Sequence, residues 1–283
     1  MSVDSPVWLE VALNGAAGQA FQPGIPVRPA DIIQQGIDCA KAGASIIHLH
    51  VYNEAGEPVE DADLYSQVIE GIRSHCDAIV YPTLALNGDV EQRYAPISTL
   101  AKRGLMEWGV VDPGSVNITH RSQAAAQMDG LVYSNPDSHI RAGLELAARD
   151  NWRPAFAIYE PGFVRLGSEL SKQVPKLATP IYRVMFSDNL LFGMAPSELA
   201  VNFYADHLAQ LVPNAPWMLS GLDADIMSIM PLALSRGAHL RVGLEDAPFG
   251  CVETNLQLVE QAVALINREG RTVASPTQVR NSY

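Results

Sequence analysis

The feature that most constrains this chain is an alternation. Short apolar runs of strand length change places with longer helix-like segments eight times. Strand-like runs fall at 7–13, 43–51, 78–83, 107–111, 154–159, 181–186, 216–220 and 239–244. Helical spacing is clearest over 61–74, where Leu64, Val68, Ile69 and Ile72 mark one face. Further helices are expected at 29–41, 95–103, 138–150, 197–211, 223–236 and 253–268, with only a weak helix or loop around 167–177. Pro29 and Asp31 suit the first turn of their helix and Gly43 its end. Such regular strand–helix alternation predicts a parallel sheet, and eight beats predict an α/β fold of the (β/α)8 TIM-barrel type. An open doubly wound sheet is the competing architecture, and it calls for a Gly-rich phosphate fingerprint after the first strand. Asn14-Gly15-Ala16-Ala17-Gly18 lacks that spacing and runs into a loop with Pro23, Pro26 and Pro29. The barrel is preferred, as a single catalytic domain over 1–283, because no linker, repeat or low-complexity tract divides the chain.

Composition excludes several functions. A net charge of −12 with no cluster of Lys or Arg leaves no electrostatic footprint for nucleic acid. No apolar run reaches the ~18 residues of a membrane span. Cys39, Cys76 and Cys251 are odd in number and without CxxC spacing, which suits a reduced protein rather than a disulfide framework. The opening Met1-Ser2-Val3-Asp4-Ser5-Pro6 has no basic or apolar signal region. The expectation is a soluble cytoplasmic protein.

In a barrel the active site lies where the strands end. The second strand runs Ser45-Ile46-Ile47-His48-Leu49-His50-Val51, and alternation puts His48 and His50 on one face. Two imidazoles so placed can hold one divalent metal ion. Strands one, two and eight become neighbours when a barrel closes. Strand one brings Glu10, and strand eight ends in Arg241-Val242-Gly243-Leu244-Glu245-Asp246. Glu245 can complete a His2Glu set that leaves a position open, the pattern of a catalytic zinc ion. Asp246 is then a candidate acid/base carboxylate. Arg241 can hold a substrate carboxylate or keep Asp246 ionised, and Glu10 can orient either group. The plainer reading of Arg241 and Glu245 is a structural ion pair in the barrel interior.

The pieces 12–16 (ALNGA), 42–51 (AGASIIHLHV) and 241–246 (RVGLED) resemble the β-keto acid cleavage enzyme family, and the similarity runs through 114–117 and 254–259. That resemblance implies a zinc-bearing TIM barrel, usually a homotetramer. It also implies exchange between a β-keto acid and acetyl-CoA, giving acetoacetate and a CoA ester. By motif, His48, His50 and Glu245 correspond to the zinc ligands, and Arg241, Asp246 and Glu10 to the residues that position and deprotonate the keto acid. Three loops depart from the family pattern. Tyr52-Asn53 stands where Arg-Asp is usual, Pro82-Thr83-Leu84-Ala85 where a Ser-Thr-Gly-Gly type turn is usual, and Ala247-Pro248-Phe249-Gly250 carries neither the usual Asn nor the basic residue. Thr83 is the hydroxyl left to serve the substrate after strand three. Asp112-Pro113-Gly114-Ser115 reads as a turn, and Ser115 and Asn117 beyond it can also line the pocket.

Two rivals differ at identifiable residues. An amidohydrolase-type zinc enzyme adds histidines on strands five and six, and neither 154–159 nor 181–186 contains one. A non-catalytic barrel that binds a metabolite would keep the scaffold without the chemistry. His75, His120, His139 and His207 are scattered over helices and loops and read as structural or surface residues. His239 is expected at the far end of the barrel from the metal, and Trp108 and Trp217 in the core or mouth.

Overall fold

The computed structural model describes residues 5–282. The eight strand runs form one parallel sheet: β1 (Leu9–Ala12), β2 (Ile46–Leu49), β3 (Ile79–Pro82), β4 (Trp108–Val110), β5 (Arg153–Ile158), β6 (Ile181–Phe186), β7 (Trp217–Gly221) and β8 (His239–Val242). Eight helices wrap it: α1 (Pro29–Ala42), α2 (Ala62–Arg73), α3 (Val90–Lys102), α4 (Asp137–Asp150), α5 (Pro161–Ser171), α6 (Glu198–Leu211), α7 (Met230–Ser235) and α8 (Asn255–Arg268). Every strand residue is buried. Helices cover the outer face and side chains fill the inner one, so near-continuous apolar runs are what such strands require. No helix among the described residues is long and apolar enough to cross a membrane.

The strand order is β3-β2-β1-β8-β7-β6-β5-β4. The first strand therefore pairs with the last, Glu10 beside Arg241 and Val11 beside Val242. The ladder runs round the barrel and stops between β3 and β4, which share no ladder bond among the described residues. Side chains stitch this seam instead. Arg73 at the end of α2 donates to the Val80 carbonyl at 3.2 Å and pairs with Glu107 at 2.9 Å. Arg280 holds the other oxygen of Glu107 at 2.5 Å. Within the barrel, Tyr81 and Trp108 face one another across the seam, ring centroids 6.0 Å apart.

The interior is polar and aromatic where barrels usually hold branched aliphatics. At the N-terminal end Trp8 stacks on His239 at 4.3 Å, and the Arg153 guanidinium lies 5.5 Å from the Trp8 ring and 5.8 Å from Trp108. The Trp8 N–H donates to His239 Nδ1. His239 thus sits at the end expected from its place in β8.

Three helices differ from the expected bounds. An Asp89/Gln92 capping box starts α3 at Val90, five residues early. Pro161 begins α5 instead of breaking it, so this helix lies at Pro161–Ser171 rather than around 167–177. Pro231 lacks an N–H and stands in the first turn of its helix, so α7 is the short Met230–Ser235 after a single 3₁₀ turn, Met227–Ile229. Two hairpins rise above the barrel. Val51–Tyr52 pairs with Pro58–Val59, and Val116–Ile118 with Leu131–Tyr133, the latter enclosing a short helix, Arg121–Ala125.

Candidate active site

The site is assembled at the ends of β1, β2 and β8. His48 is in register with Ala12 of β1. His50 lies beyond the end of β2, and the Asn14 side chain takes over the role of the ladder. Its Oδ1 accepts from His50 N–H at 2.9 Å, and its Nδ2 donates to the His50 carbonyl at 3.0 Å. That reciprocal pair keeps His50 on the face His48 occupies.

Glu245 arrives by a turn rather than by alternation. Gly243 has φ +133°, and a Cβ there would lie 2.1 Å from the Ala12 carbonyl oxygen. Only glycine lets the end of β8 approach β1 so closely. The N–H groups of Asp246 and Ala247 both donate to the Gly243 carbonyl, and Glu245 N–H donates to Ala12 at 3.3 Å. This tight turn folds Glu245 back over the mouth. Gly15 at φ +65° makes room for it, since a Cβ there would meet Glu245 Cγ at 2.6 Å. Tyr52 donates its hydroxyl to the Gly15 carbonyl and braces the same loop. Asn53 accepts from the N–H groups of Ala55 and Glu57 and shapes the first hairpin.

The three expected ligands meet. His48 Nε2 is 3.5 Å and His50 Nε2 3.6 Å from the two Glu245 oxygens, and one donor atom from each residue lies within 4.8 Å of the others. Bonds of 2.0–2.2 Å to a tetrahedral ion place ligand atoms roughly 3.4 Å apart. His50 Nε2 and Glu245 Oε2 are buried without hydrogen-bond partners, which is costly unless something else takes them up. The donor set therefore fits a zinc-type divalent ion.

Charge points the same way. Arg241 is shared by three carboxylates: Glu10 at 2.8 Å, Glu245 at 3.1 Å and Asp246 at 2.8 Å, the last also held through Nε at 2.9 Å. Arg183 lies 4.0 Å from Glu10 and 3.9 Å from Asp112. Two guanidiniums thus face four carboxyl groups, an excess of two negative charges when all four are ionised. One divalent ion balances it. Burial holds His48 well below the usual imidazole range, so it is the neutral ligand form. Burial also works against the Glu245 carboxylate, yet the positive charge facing it, with Arg241 the permanent part, keeps Glu245 well below its ordinary value. Asp246 goes the other way, because burial raises it further than Arg241 lowers it.

Glu10 lies one layer beneath the mouth, fully buried, and its Oε1 also accepts from Tyr81 at 2.6 Å. Burial keeps the Tyr81 phenol neutral, and it accepts in turn from Arg183 at 3.1 Å. Asp112 accepts from the Tyr133 hydroxyl at 2.7 Å and from Ala157 N–H at 2.9 Å. Tyr81, Arg183, Asp112 and Tyr133 belong to the site's polar framework, and sequence reasoning did not single them out. Inward position on a strand was the available signal for Tyr81 and Arg183.

Above the ligands opens a cavity of about 440 Å³, lined among others by His50, Thr83, Asp112, Tyr133 and Glu245. Thr83 is therefore at the mouth. Ser115 and Asn117 are exposed and off this lining, and the Ser115 hydroxyl accepts from Asn135 N–H. Of the cations after strands three and four, Arg93 is buried against Ala85 and Asn135, Arg103 is paired with Asp63, Lys102 is exposed at the end of α3 and Arg121 donates to the Asp188 carbonyl.

Fold and site together define a (β/α)8 barrel with an acid-rich centre at the mouth where such barrels carry their active sites. Residues 6–283 match the family described as beta-keto acid cleavage enzyme, and the chain belongs to that family. It is 26% identical to the 3-dehydrocarnitine:acetyl-CoA trimethylamine transferase of Rhizobium meliloti, over 99% of this chain and 97% of that protein. It is equally similar, at 26%, to the 3-oxoadipate:acetyl-CoA acetyltransferase of Cupriavidus necator, over 97% and 93%. The 3-keto-5-aminohexanoate cleavage enzyme of Fusobacterium nucleatum is 25% identical, over 96% and 95%. Among solved structures, the complex of ObcA with oxaloacetate superposes with a TM-score of 0.72 at 16% identity, covering 92% of this chain and 67% of that one. That likeness concerns the fold.

Proposed function

We propose that this protein is a zinc-dependent β-keto acid cleavage enzyme, which condenses a β-keto acid with acetyl-CoA to give acetoacetate and the CoA ester of the remaining acyl group. The observation that carries the reading is the convergence of His48, His50 and Glu245 beside a buried Arg241–Asp246 pair. His48, His50 and Glu245 would hold the ion. When bound, it supplies Lewis acidity to the ketone and carboxylate oxygens of the keto acid, which makes the proton on the carbon between them removable.

The remaining steps fall to the chain. Asp246, raised by burial and gripped on both oxygens by Arg241, takes that proton. The carbanion attacks the acetyl thioester and expels CoA thiolate. The thiolate then attacks the original ketone carbon, and the bond from that carbon to the former carbanion carbon breaks. Asp246 returns its proton to the acetoacetate that leaves. Arg241 keeps Asp246 oriented throughout and places positive charge beside the developing enolate. Glu10, fixed by Tyr81, holds the far side of Arg241 and acts as a positioning residue. Thr83 is the hydroxyl at the cavity wall available to the thioester oxygen. The assembly proposed from the family resemblance is a homotetramer, which light scattering measures directly.

The test combines metal analysis with turnover. Purified protein is expected to carry about one zinc per chain and to convert β-keto acids only with acetyl-CoA present. His48→Ala removes one of three ligands, so its metal content and activity should both collapse. Stoichiometric zinc in that variant, or cleavage without acetyl-CoA, would overturn the proposal.

A further inference from the structure

The mouth cavity has a reacting end and a wall that the chemistry above does not use. His50 and Glu245 mark the reacting end. Leu84, Leu86, Ile118, Leu131, Leu190 and Leu222, drawn from the loops after β3, β4, β6 and β7, supply the wall. No Lys or Arg among the described residues lines this cavity. The one further acid on its lining is Asp112, and both Asp112 oxygens are already taken by Tyr133 and Ala157. Gln123 on the same wall is spent as well, its Oε1 accepting from His120 N–H. Gln22 donates to the Leu244 and Pro248 carbonyls, and its buried Oε1 is a neutral acceptor without a hydrogen-bond partner.

We infer that the β-keto acid accepted here carries an uncharged, largely apolar group on its ketone carbon. This rests on the β-keto acid reading of the site given above. An anionic tail would lose its water against a wall with no Lys or Arg to meet it. A cationic tail would find no free counter-charge on the wall, because Asp112 already accepts from Tyr133 and Ala157 and lies 3.9 Å from the Arg183 guanidinium, which offsets its charge. In either case the tail loses water without gaining an opposite charge of its own, which is unfavourable for any ion. An aliphatic tail gains from each methylene placed against the leucines, and one methylene in an apolar pocket is worth about 10–200-fold in discrimination. Relatives whose names specify 3-oxoadipate and 3-keto-5-aminohexanoate act on charged tails. The wall described here is built for something else.

The decisive comparison uses substrates of equal chain length. 3-Oxohexanoate and 3-oxoadipate both have six carbons and differ in a terminal methyl against a carboxylate. With zinc-loaded protein and acetyl-CoA, kcat/KM for 3-oxohexanoate is expected to exceed that for 3-oxoadipate by about 100-fold or more, with 3-keto-5-aminohexanoate also poorer. Leu86→Arg places a guanidinium at the cavity lip, on a residue 42% exposed and tolerant of change. It should improve the relative use of 3-oxoadipate at least about tenfold. Calorimetric binding of the same acids without acetyl-CoA separates the two layers of the proposal. Tighter binding of 3-oxohexanoate in a protein with no transfer activity would support the tail specificity while refuting the reaction. Equal or stronger binding of either charged acid, or binding of none, overturns the specificity.

Discussion

Replacement of Asp246 by Asn isolates the proposed base from the metal ligand beside it. Asp246 is buried, and its two oxygens take three hydrogen bonds from Arg241 at 2.8–3.2 Å. The amide keeps the size and one acceptor oxygen but cannot take up a proton. A positioned acid/base group contributes about 10²–10⁴-fold, which at about 1.4 kcal/mol per decade is roughly 3–5 kcal/mol of barrier. The cost to the fold is much smaller. Arg241 retains Glu10 at 2.8 Å and Glu245 at 3.1 Å, so its charge does not become orphaned. A net change of about 1 kcal/mol, the scale of a single hydrogen bond, is therefore expected, or a few degrees in Tm. Zinc content should stay at the wild-type level. The assay is single-turnover cleavage at saturating acetyl-CoA, with metal analysis and a melting curve on the same preparation. Turnover within about threefold of wild type would show that Asp246 does not carry the proton, since the range above is at least thirtyfold larger. Loss of zinc would place it among the ligands.

Two further outcomes follow from other parts of the molecule. Gly243→Ala should cost at least about 2–3 kcal/mol, because it combines a left-handed φ with a Cβ 2.1 Å from backbone; urea melts measure the cost, and zinc affinity should fall with it as the Glu245 turn is displaced. Wild-type stability and metal content in that variant would refute the role given to the turn. His239, which burial holds down at about 3, is neutral in the fold and titrates near 6.5 when unfolded. Its contribution is present above pH 6.5 and lost as pH falls toward 3, at about 1.4 kcal/mol per pH unit at most. His239→Gln keeps an acceptor for the Trp8 N–H, so the difference in stability between wild type and variant should shrink as pH falls from 7 to 4. A pH-independent difference would refute the burial argument.

The strands were legible because parallel strands buried on both faces must be apolar nearly throughout, and 181–186 is β6 to the residue. Prolines misled where they start helices: Pro161 opens α5, and Pro231 delays α7. The His48, His50, Glu245 group was legible as residue types near strand ends. The route was not, since β8 stops at Val242 and a left-handed Gly243, not alternation, turns Glu245 inward. Tyr81 and Arg183 escaped notice for a different reason. Their partners lie 71 and 102 positions away along the chain, and no local pattern records a pairing at that range. Asp112 was hidden by its setting, because Asp-Pro-Gly reads as a turn wherever it occurs.

The gap between β3 and β4 makes this barrel a split ring. A fully closed ladder spreads any local displacement to both neighbours and resists it all the way round. Here a displacement of either terminal strand ends at Arg73, Glu107 and Arg280, whose charged side chains can slide where backbone ladder bonds would have to break. The segments that leave those two strands carry Thr83, Leu84 and Leu86 on one side and the Val116–Tyr133 hairpin on the other. Compliance is thus concentrated under the wall that meets the substrate's tail, while β1, β2 and β8, which hold the charged centre, stay hydrogen-bonded on both edges. Tail-binding loops can adjust across the split without moving His48, His50 or Glu245.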